Sequence, residues 1–209
     1  MTNNDELFHK LVELGQYPVN QTDTITVLEK IGHFLDSENE YVYQKFKEQG
    51  FSKEEITEKI VENISLEYVL TKSARDFDGG YAMAGMIGHG DAFVLRDPSG
   101  IRPAFFYKDE EVVVVASERP AIRTAFDLPN QEINEIKPGH ALVIKKNGWT
   151  GQVEITKPRE RKSCSFERIY FSRGTDSDIY RERRNLGKNL SKRVLEEIDY
   201  DLDHTVFSY

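Results

Sequence analysis

The sequence predicts a layered α+β domain, and three observations predict it. Helical periodicity fills the first third of the chain, short strand-forming runs broken by turn residues fill the middle, and a second helical stripe lies near the C-terminus. Helices that precede closely spaced hairpins can cover one face of an antiparallel sheet.

Leu7, Leu11 and Leu14 share one helical face, closed by Gly15 and Pro18. After Thr22-Asp23-Thr24, a second stripe runs through Ile25, Leu28, Ile31 and Leu35. Ser52 and Glu55 have capping-box spacing, and Ile56, Ile60 and Ile64 follow at four-residue intervals. Charge dominates residues 37–50, so this stretch reads as a peripheral helical excursion. Strand-forming runs then occupy residues 81–87, 91–95, 104–107, 112–116, 141–144 and 153–156. Between them, Gly88-His89-Gly90-Asp91, Asp97-Pro98-Ser99-Gly100, Lys137-Pro138-Gly139 and Asn147-Gly148 supply turns. Residues 118–126 read as a short helix. Residues 158–163 read as a polar linker, 166–172 as a strand, and Leu186, Leu190, Val194 and Ile198 as one helix face. Residues 205–207 begin an apolar strand. A domain rarely ends on a newly begun strand, whose backbone groups need partners, so the C-terminus reads as a cut.

Composition excludes several classes. With 209 residues, 38% hydrophobic and 12 Phe, the chain can bury a core, which argues against disorder. No apolar run approaches the roughly 20 residues of a membrane span, and the opening residues lack a signal-peptide pattern. One Cys precludes an internal disulfide framework. A soluble protein of a reducing compartment, the cytoplasm, is expected. The net charge of −8 argues against nucleic acid as a partner.

Several blocks resemble a known family. Asp78-Gly79-Gly80-Tyr81-Ala82, Arg96-Asp97-Pro98-Ser99-Gly100-Ile101-Arg102-Pro103, Ala116-Ser117-Glu118 and Lys137-Pro138-Gly139-His140-Ala141 resemble the glutaminase domain of the amidophosphoribosyltransferases. So does the run from Cys164 through Phe166, Tyr170 and Arg173 to Arg183-Arg184-Asn185-Leu186-Gly187. The resemblance covers nearly the whole chain and is weakest over residues 37–65. The Asp97 block is shared with other class II glutamine amidotransferases, such as asparagine or glucosamine-phosphate synthases. The region 166–187 is more specific, because in this family it leads into a phosphoribosyltransferase domain.

The resemblance implies a four-layer α-β-β-α sandwich of the N-terminal-nucleophile hydrolase type. It implies a glutaminase domain over residues 1–172 and the first helix and strand of a phosphoribosyltransferase domain over 173–209. It further implies an enzyme that cleaves glutamine and passes the ammonia to phosphoribosyl pyrophosphate, held with Mg2+. The product is 5-phosphoribosylamine, at the first committed step of purine synthesis. The family nucleophile is an N-terminal Cys, whereas residue 1 here is Met and Cys164 is the only Cys. The family's Asn-Gly oxyanion element is expected before Met1 and its phosphoribosyl pyrophosphate loop after Tyr209. By this resemblance the chain is an internal slice, inactive alone. A sheet edge left open by absent strands would pair with a partner, another copy included, so a homo-oligomer is expected. The rival readings are a catalytically dead glutamine-binding or interaction module, and another class II amidotransferase.

Asp23 is the site candidate. By resemblance it is the carboxylate that pairs with the α-ammonium of glutamine, and its alternative role is to cap the helix that follows. Cys164 matches a position that ligates a four-iron cluster in some relatives, but a cluster needs about four thiolates, so a half-buried thiol is the plainer reading. No other metal ligands are expected, since the five histidines lack metal-site spacing. Thr2 would be an N-terminal nucleophile only if Met1 were removed. Asp97 and Arg102 read as architecture around the site. Arg181, Arg183 and Arg184 read either as phosphate ligands or as a solvated helix start, and His89 as a solvated turn residue.

Overall fold

Helix α1 (Asn4–Glu13) buries Leu7 and Leu11 and leaves Leu14, just past its end, exposed. Helix α2 (Asp23–Glu48) is long enough to serve two cores. Its N-terminal half places Val27 in the main core, and its C-terminal half packs Val42 and Phe46 on Ile56 of α3 (Lys53–Asn63). The excursion expected at residues 37–50 is therefore one arm of a helical hairpin, with α3 as the other and a small core between them. The capping box at its turn is formed: the Ser52 amide donates to Glu55 Oε2 at 2.8 Å and the Glu55 amide to Ser52 Oγ at 3.4 Å. Helix α4 (Leu66–Ala74) follows, with Ser65 Oγ accepting from the Tyr68 amide.

This computed structural model describes residues 1–128 and 132–208. It divides into two units, Met1–Phe105 with Asn134–Ser163, and Phe106–Ile133 with Cys164–Tyr209.

The first unit holds a four-stranded antiparallel sheet in the order β1-β2-β6-β7, from β1 (Ala82–Met86), β2 (Ala92–Arg96), β6 (His140–Ile144) and β7 (Thr150–Glu154). Register puts Met83, Leu95, Ala141 and Val153 across from one another on one face. These residues pack with Leu7, Val27, Leu66 and Leu70 of the helices in a single core. Alternation along a strand fixes this: one residue of slip would turn the whole apolar set outward. The expected α+β composition and antiparallel hairpins are thus present, with strand limits within a few residues of those read from the sequence. Gly139 is required where it stands. Its φ is +72°, and a Cβ there would lie 2.3 Å from the Thr156 carbonyl oxygen.

At the β1–β2 turn, Asp91 is 2% exposed and accepts from Lys145 Nζ at 2.6 Å and the Lys146 amide at 2.8 Å. His89 is not solvated as expected: its Nε2 lies 3.2 Å from the same carboxylate. Burial opposes ionisation of Asp91, but the Lys145 hydrogen bond and its neighbours outweigh it and hold the carboxyl below its ordinary pKa. A carboxyl depressed by folding adds stability above its unfolded pKa of about 3.9 and loses it as pH falls through the lower folded value. Asp91→Asn is therefore expected to lower stability at neutral pH and to flatten the acid limb below about pH 4. Urea unfolding at neutral and acid pH checks this, and parallel pH profiles for both proteins would contradict it.

All but the first residue of β3 (Phe105–Lys108) and the whole of β4 (Val113–Ala116) belong to the second unit, joined by a turn in which Asp109 Oδ1 accepts the amides of Glu111 and Val112. Helix α5 (Arg119–Phe126) and helix α6 (Ser177–Glu197) follow the expected positions. Asp176 caps α6 through the Asp178 and Ile179 amides, and Arg119 grips the same carboxylate through two nitrogens, both at 2.8 Å. In the first unit, β5 (Asn134–Glu135) is a strand of two residues that the sequence did not signal.

Two expected strands are not formed. Residues 166–172 contain a π-helical turn, Glu167–Phe171, in which the Ser172 amide reaches the Glu167 carbonyl at 2.7 Å. Arg183 also draws the carbonyls of Ile169 and Ser172 together, so the backbone groups are satisfied locally rather than by a sheet neighbour. Residues 205–207 lie outside any strand, with Val206 92% exposed. A strand needs a neighbour for its amides and carbonyls, and none pairs with these among the described residues. Tyr209, the last residue of the expected second domain, lies outside the described residues.

Candidate functional site

The start of α2 meets the first residues of the chain and the segment that precedes β1. Thr22 is the N-cap in extended conformation and Asp23 the first helical residue. No side chain caps the helix. Thr22 Oγ1 instead donates to Asn20 Oδ1 at 2.7 Å. Asp23 therefore does not cap by hydrogen bonding, although a carboxylate in the first turn suits the positive end of the helix dipole. Its side chain is about half exposed, and its Oδ2 accepts from the α-ammonium of Met1.

The neighbouring backbone is fixed by a short lattice of hydrogen bonds. The Thr2 amide donates to the Asp78 carbonyl at 3.1 Å, and Thr2 Oγ1 to Asp78 Oδ2 at 2.5 Å. Asn3 donates to the Asp76 carbonyl at 2.8 Å and accepts from the Asp78 amide at 3.2 Å, while Asn4 donates to the Gln21 carbonyl at 2.6 Å. The Thr2 hydroxyl is thus tied to a carboxylate, and that hydrogen bond holds the Asp78 carboxyl below its usual range.

One turn along α2 from Val27, Lys30 is 7% exposed and reaches Asp76 Oδ2 at 3.2 Å over the ring of Phe77. Burial lowers its pKa, and the Asp76 hydrogen bond works against that. Asp23 and Lys30 stand seven residues apart and so fall on one helical face, the carboxylate outward and the ammonium inward. Sequence reasoning passed over Lys30 and Asp76. A lysine within the Val27–Ile31 apolar stripe was the available signal.

The Asp97 block is architecture, as expected, and Arg96 is a cation built into it. Asp97 is fully buried and accepts the amides of Ser99 at 3.1 Å, Ile101 at 2.9 Å and Arg102 at 3.0 Å. Arg96 is 1% exposed. It donates to the carbonyls of Gly100, Arg102 and Ile136 and to Glu135 Oε1 at 2.8 Å. Burial opposes ionisation of Glu135, but Arg96 and Arg161 overcome it and hold the carboxyl low.

The remaining candidates, Cys164, Arg181 and Arg183, belong to the second unit. Cys164 is a half-buried free thiol. Among the described residues, no group of three or more His, Cys, Asp or Glu could hold a metal ion. Arg183 serves backbone carbonyls, and Arg181 stands 3.5 Å from Asp178. No helix of the described residues is long and apolar enough to cross a membrane.

No family model matches the chain. Its sequence is 30% identical over 196 residues to the amidophosphoribosyltransferase of Methanothermobacter thermautotrophicus, an alignment covering 90% of this chain and 34% of that protein. It is 30% identical over 217 residues to the amidophosphoribosyltransferase of Escherichia coli, covering 97% of this chain and 38% of the relative. Among solved structures, it is similar to the glutamine phosphoribosylpyrophosphate amidotransferase of Bacillus subtilis complexed with ADP and GMP. The TM-score is 0.53 at 25% identity, covering 83% of this chain and 31% of that one. The chain spans about a third of the length of the curated relatives it matches.

Proposed function

Since this chain belongs to the amidophosphoribosyltransferase family and spans about a third of the length of its relatives, we propose that it builds the glutamine-handling scaffold of such an enzyme. The whole enzyme cleaves glutamine with water to glutamate and ammonia. The ammonia then displaces pyrophosphate from phosphoribosyl pyrophosphate and gives 5-phosphoribosylamine for purine synthesis. Residues 1–172 belong to the glutaminase domain and 173–209 open the phosphoribosyltransferase domain. The four-stranded sheet is one of two stacked β layers sheathed by helices. Assembly into a homo-oligomer and a cytoplasmic location belong to the same reading.

What supports the role of Asp23 is its place: a half-exposed carboxylate in the first turn of α2. Glutamine presents an α-ammonium. A carboxylate fixed in a helical first turn binds it by charge and hydrogen bond together. Mg2+ enters with phosphoribosyl pyrophosphate, and no residue of this chain is assigned to it. For a four-iron cluster in the whole enzyme this chain offers one thiol, Cys164, of the about four required.

Glutamine titrated into the chain by calorimetry should bind. Asp23→Ala should weaken binding by about tenfold or more, since a hydrogen bond to a charged group contributes about 1.5–3 kcal/mol. Equal affinity in both proteins, or no heat at millimolar glutamine, would remove Asp23 from the site.

A further inference from the structure

Lys30 is an unexpected occupant of the apolar face of α2. It is 7% exposed and falls between Val27 and Ile31, which face the main core. A buried ammonium costs free energy that an apolar side chain of similar length does not, and replacing a buried ion pair by apolar groups is often neutral or stabilising. Packing therefore does not account for a lysine there. Among the charges around it, Glu6 and Lys10 of α1 pair with each other at 2.7 Å. The partner of Lys30 is Asp76 Oδ2 at 3.2 Å, on a side chain that is 41% exposed and so stays solvated without it.

What the pair fixes is a segment that bears on the surroundings of Asp23. Asn3 bridges that segment: its Nδ2 donates to the Asp76 carbonyl at 2.8 Å and its Oδ1 accepts from the Asp78 amide at 3.2 Å. Asn4 then donates to the Gln21 carbonyl at 2.6 Å, two residues before Asp23. The links close a ring. It runs from Asp23 two turns along α2 to Lys30, across to Asp76, through Asn3 and Asn4, and back to Gln21. Phe77, between the two acids, seats the segment in the core, and the Lys30 ammonium lies 5.3 Å from its ring centroid. Apolar burial has no direction, whereas a hydrogen bond does, so Lys30 supplies the orientation that Phe77 lacks.

We propose that Lys30 is a positioning residue for the Asp23 corner: by holding Asp76 it sets the placement of residues 76–78 and 2–4 and, through Gln21, the aim of the Asp23 carboxylate at an α-ammonium. The proposal rests on the reading of Asp23 as the carboxylate that binds glutamine. Lys30 itself touches no substrate. Its effect falls on selectivity for the ammonium, because that is the group whose partner it aims, and a charge-assisted hydrogen bond weakens as its angle departs from linear.

The test titrates the whole chain with glutamine and with glutaramate, the same molecule without its α-amino group. The unaltered chain is expected to prefer glutamine by about tenfold or more, since only glutamine gives Asp23 a charged donor. Lys30→Met should unfold in urea at the same or a higher midpoint and yet lose about threefold or more of that preference. Lys30→Arg, which can still donate to Asp76, should keep more of the preference than Met does. The side-chain amide resonances of Asn3 should move in Lys30→Met, a readout that needs no ligand. A residue that only packs gives the opposite pattern, a lower midpoint with both ligands weakened alike, and that result would overturn the proposal. Unmoved Asn3 resonances, or an unchanged preference in folded Lys30→Met, would overturn it too. If Lys30→Met does not fold, Asp76→Asn decides, because its side chain is 41% exposed and it must lower the preference as well. The two readings fail differently. No preference in the unaltered chain removes the role of Asp23 and this proposal with it, whereas a preference that Asp23→Ala abolishes and Lys30→Met leaves intact removes Lys30 alone.

Discussion

Arg96→Ala is expected to destabilise the first unit by about 3–5 kcal/mol, the range for removing one partner of a buried ion pair. The guanidinium is 1% exposed and ends β2 inside the protein, with donors directed at three carbonyls and Glu135. Alanine leaves the carbonyls of Gly100 and Ile136 buried without a donor, and each such group costs about 1–3 kcal/mol. Glu135 keeps Arg161 as a partner, so it is not stranded. Lysine should recover less than half of the loss, because a single ammonium cannot span a planar fork of acceptors. Urea unfolding followed by tryptophan fluorescence would show the midpoint falling with little change in slope. A loss below about 1 kcal/mol would mean that water replaces the guanidinium at its acceptors.

Asp97→Ala should cost about 3 kcal/mol or more, by the same logic applied to donors. Its two oxygens collect three amides of one tight turn, and without them those N–H groups face a dry interior. Asparagine keeps one accepting oxygen and turns an NH2 group toward the remaining donors, so about half the loss is expected to persist. Arg96 and Asp97 brace the same loop, Arg96 through the Gly100 and Arg102 carbonyls and Asp97 through the Ile101 and Arg102 amides. The double variant should therefore lose less than the sum of the single losses. Strict additivity in a double-mutant cycle would show that the two residues act on separate elements.

The helices were legible in the sequence because their signals are local. The Ser52–Glu55 box and the Leu7–Leu11 spacing each need only neighbours within one turn. The hairpins were legible for the same reason, since Asn147-Gly148 and the Asp97 turn carry their own backbone preferences. What was misread depends on distant partners. Residues 166–172 have the aromatic and β-branched content of a strand, but Arg183 claims their carbonyls from α6. Arg96 looks in the sequence like any charged residue that ends a strand, and only burial distinguishes it. His89, flanked by glycines, reads as solvated until the turn folds it onto Asp91.

The sheet of the first unit joins strands that are far apart along the chain. β2 ends at Arg96, and its neighbour β6 begins only at His140, after residues that belong to the other unit. During synthesis, therefore, the β1–β2 hairpin leaves the ribosome with one edge open until the later strands arrive. At about 5–20 residues per second, that interval lasts a few seconds. The β2 edge carries Phe93, Val94 and Leu95, an apolar row of the kind chaperones recognise.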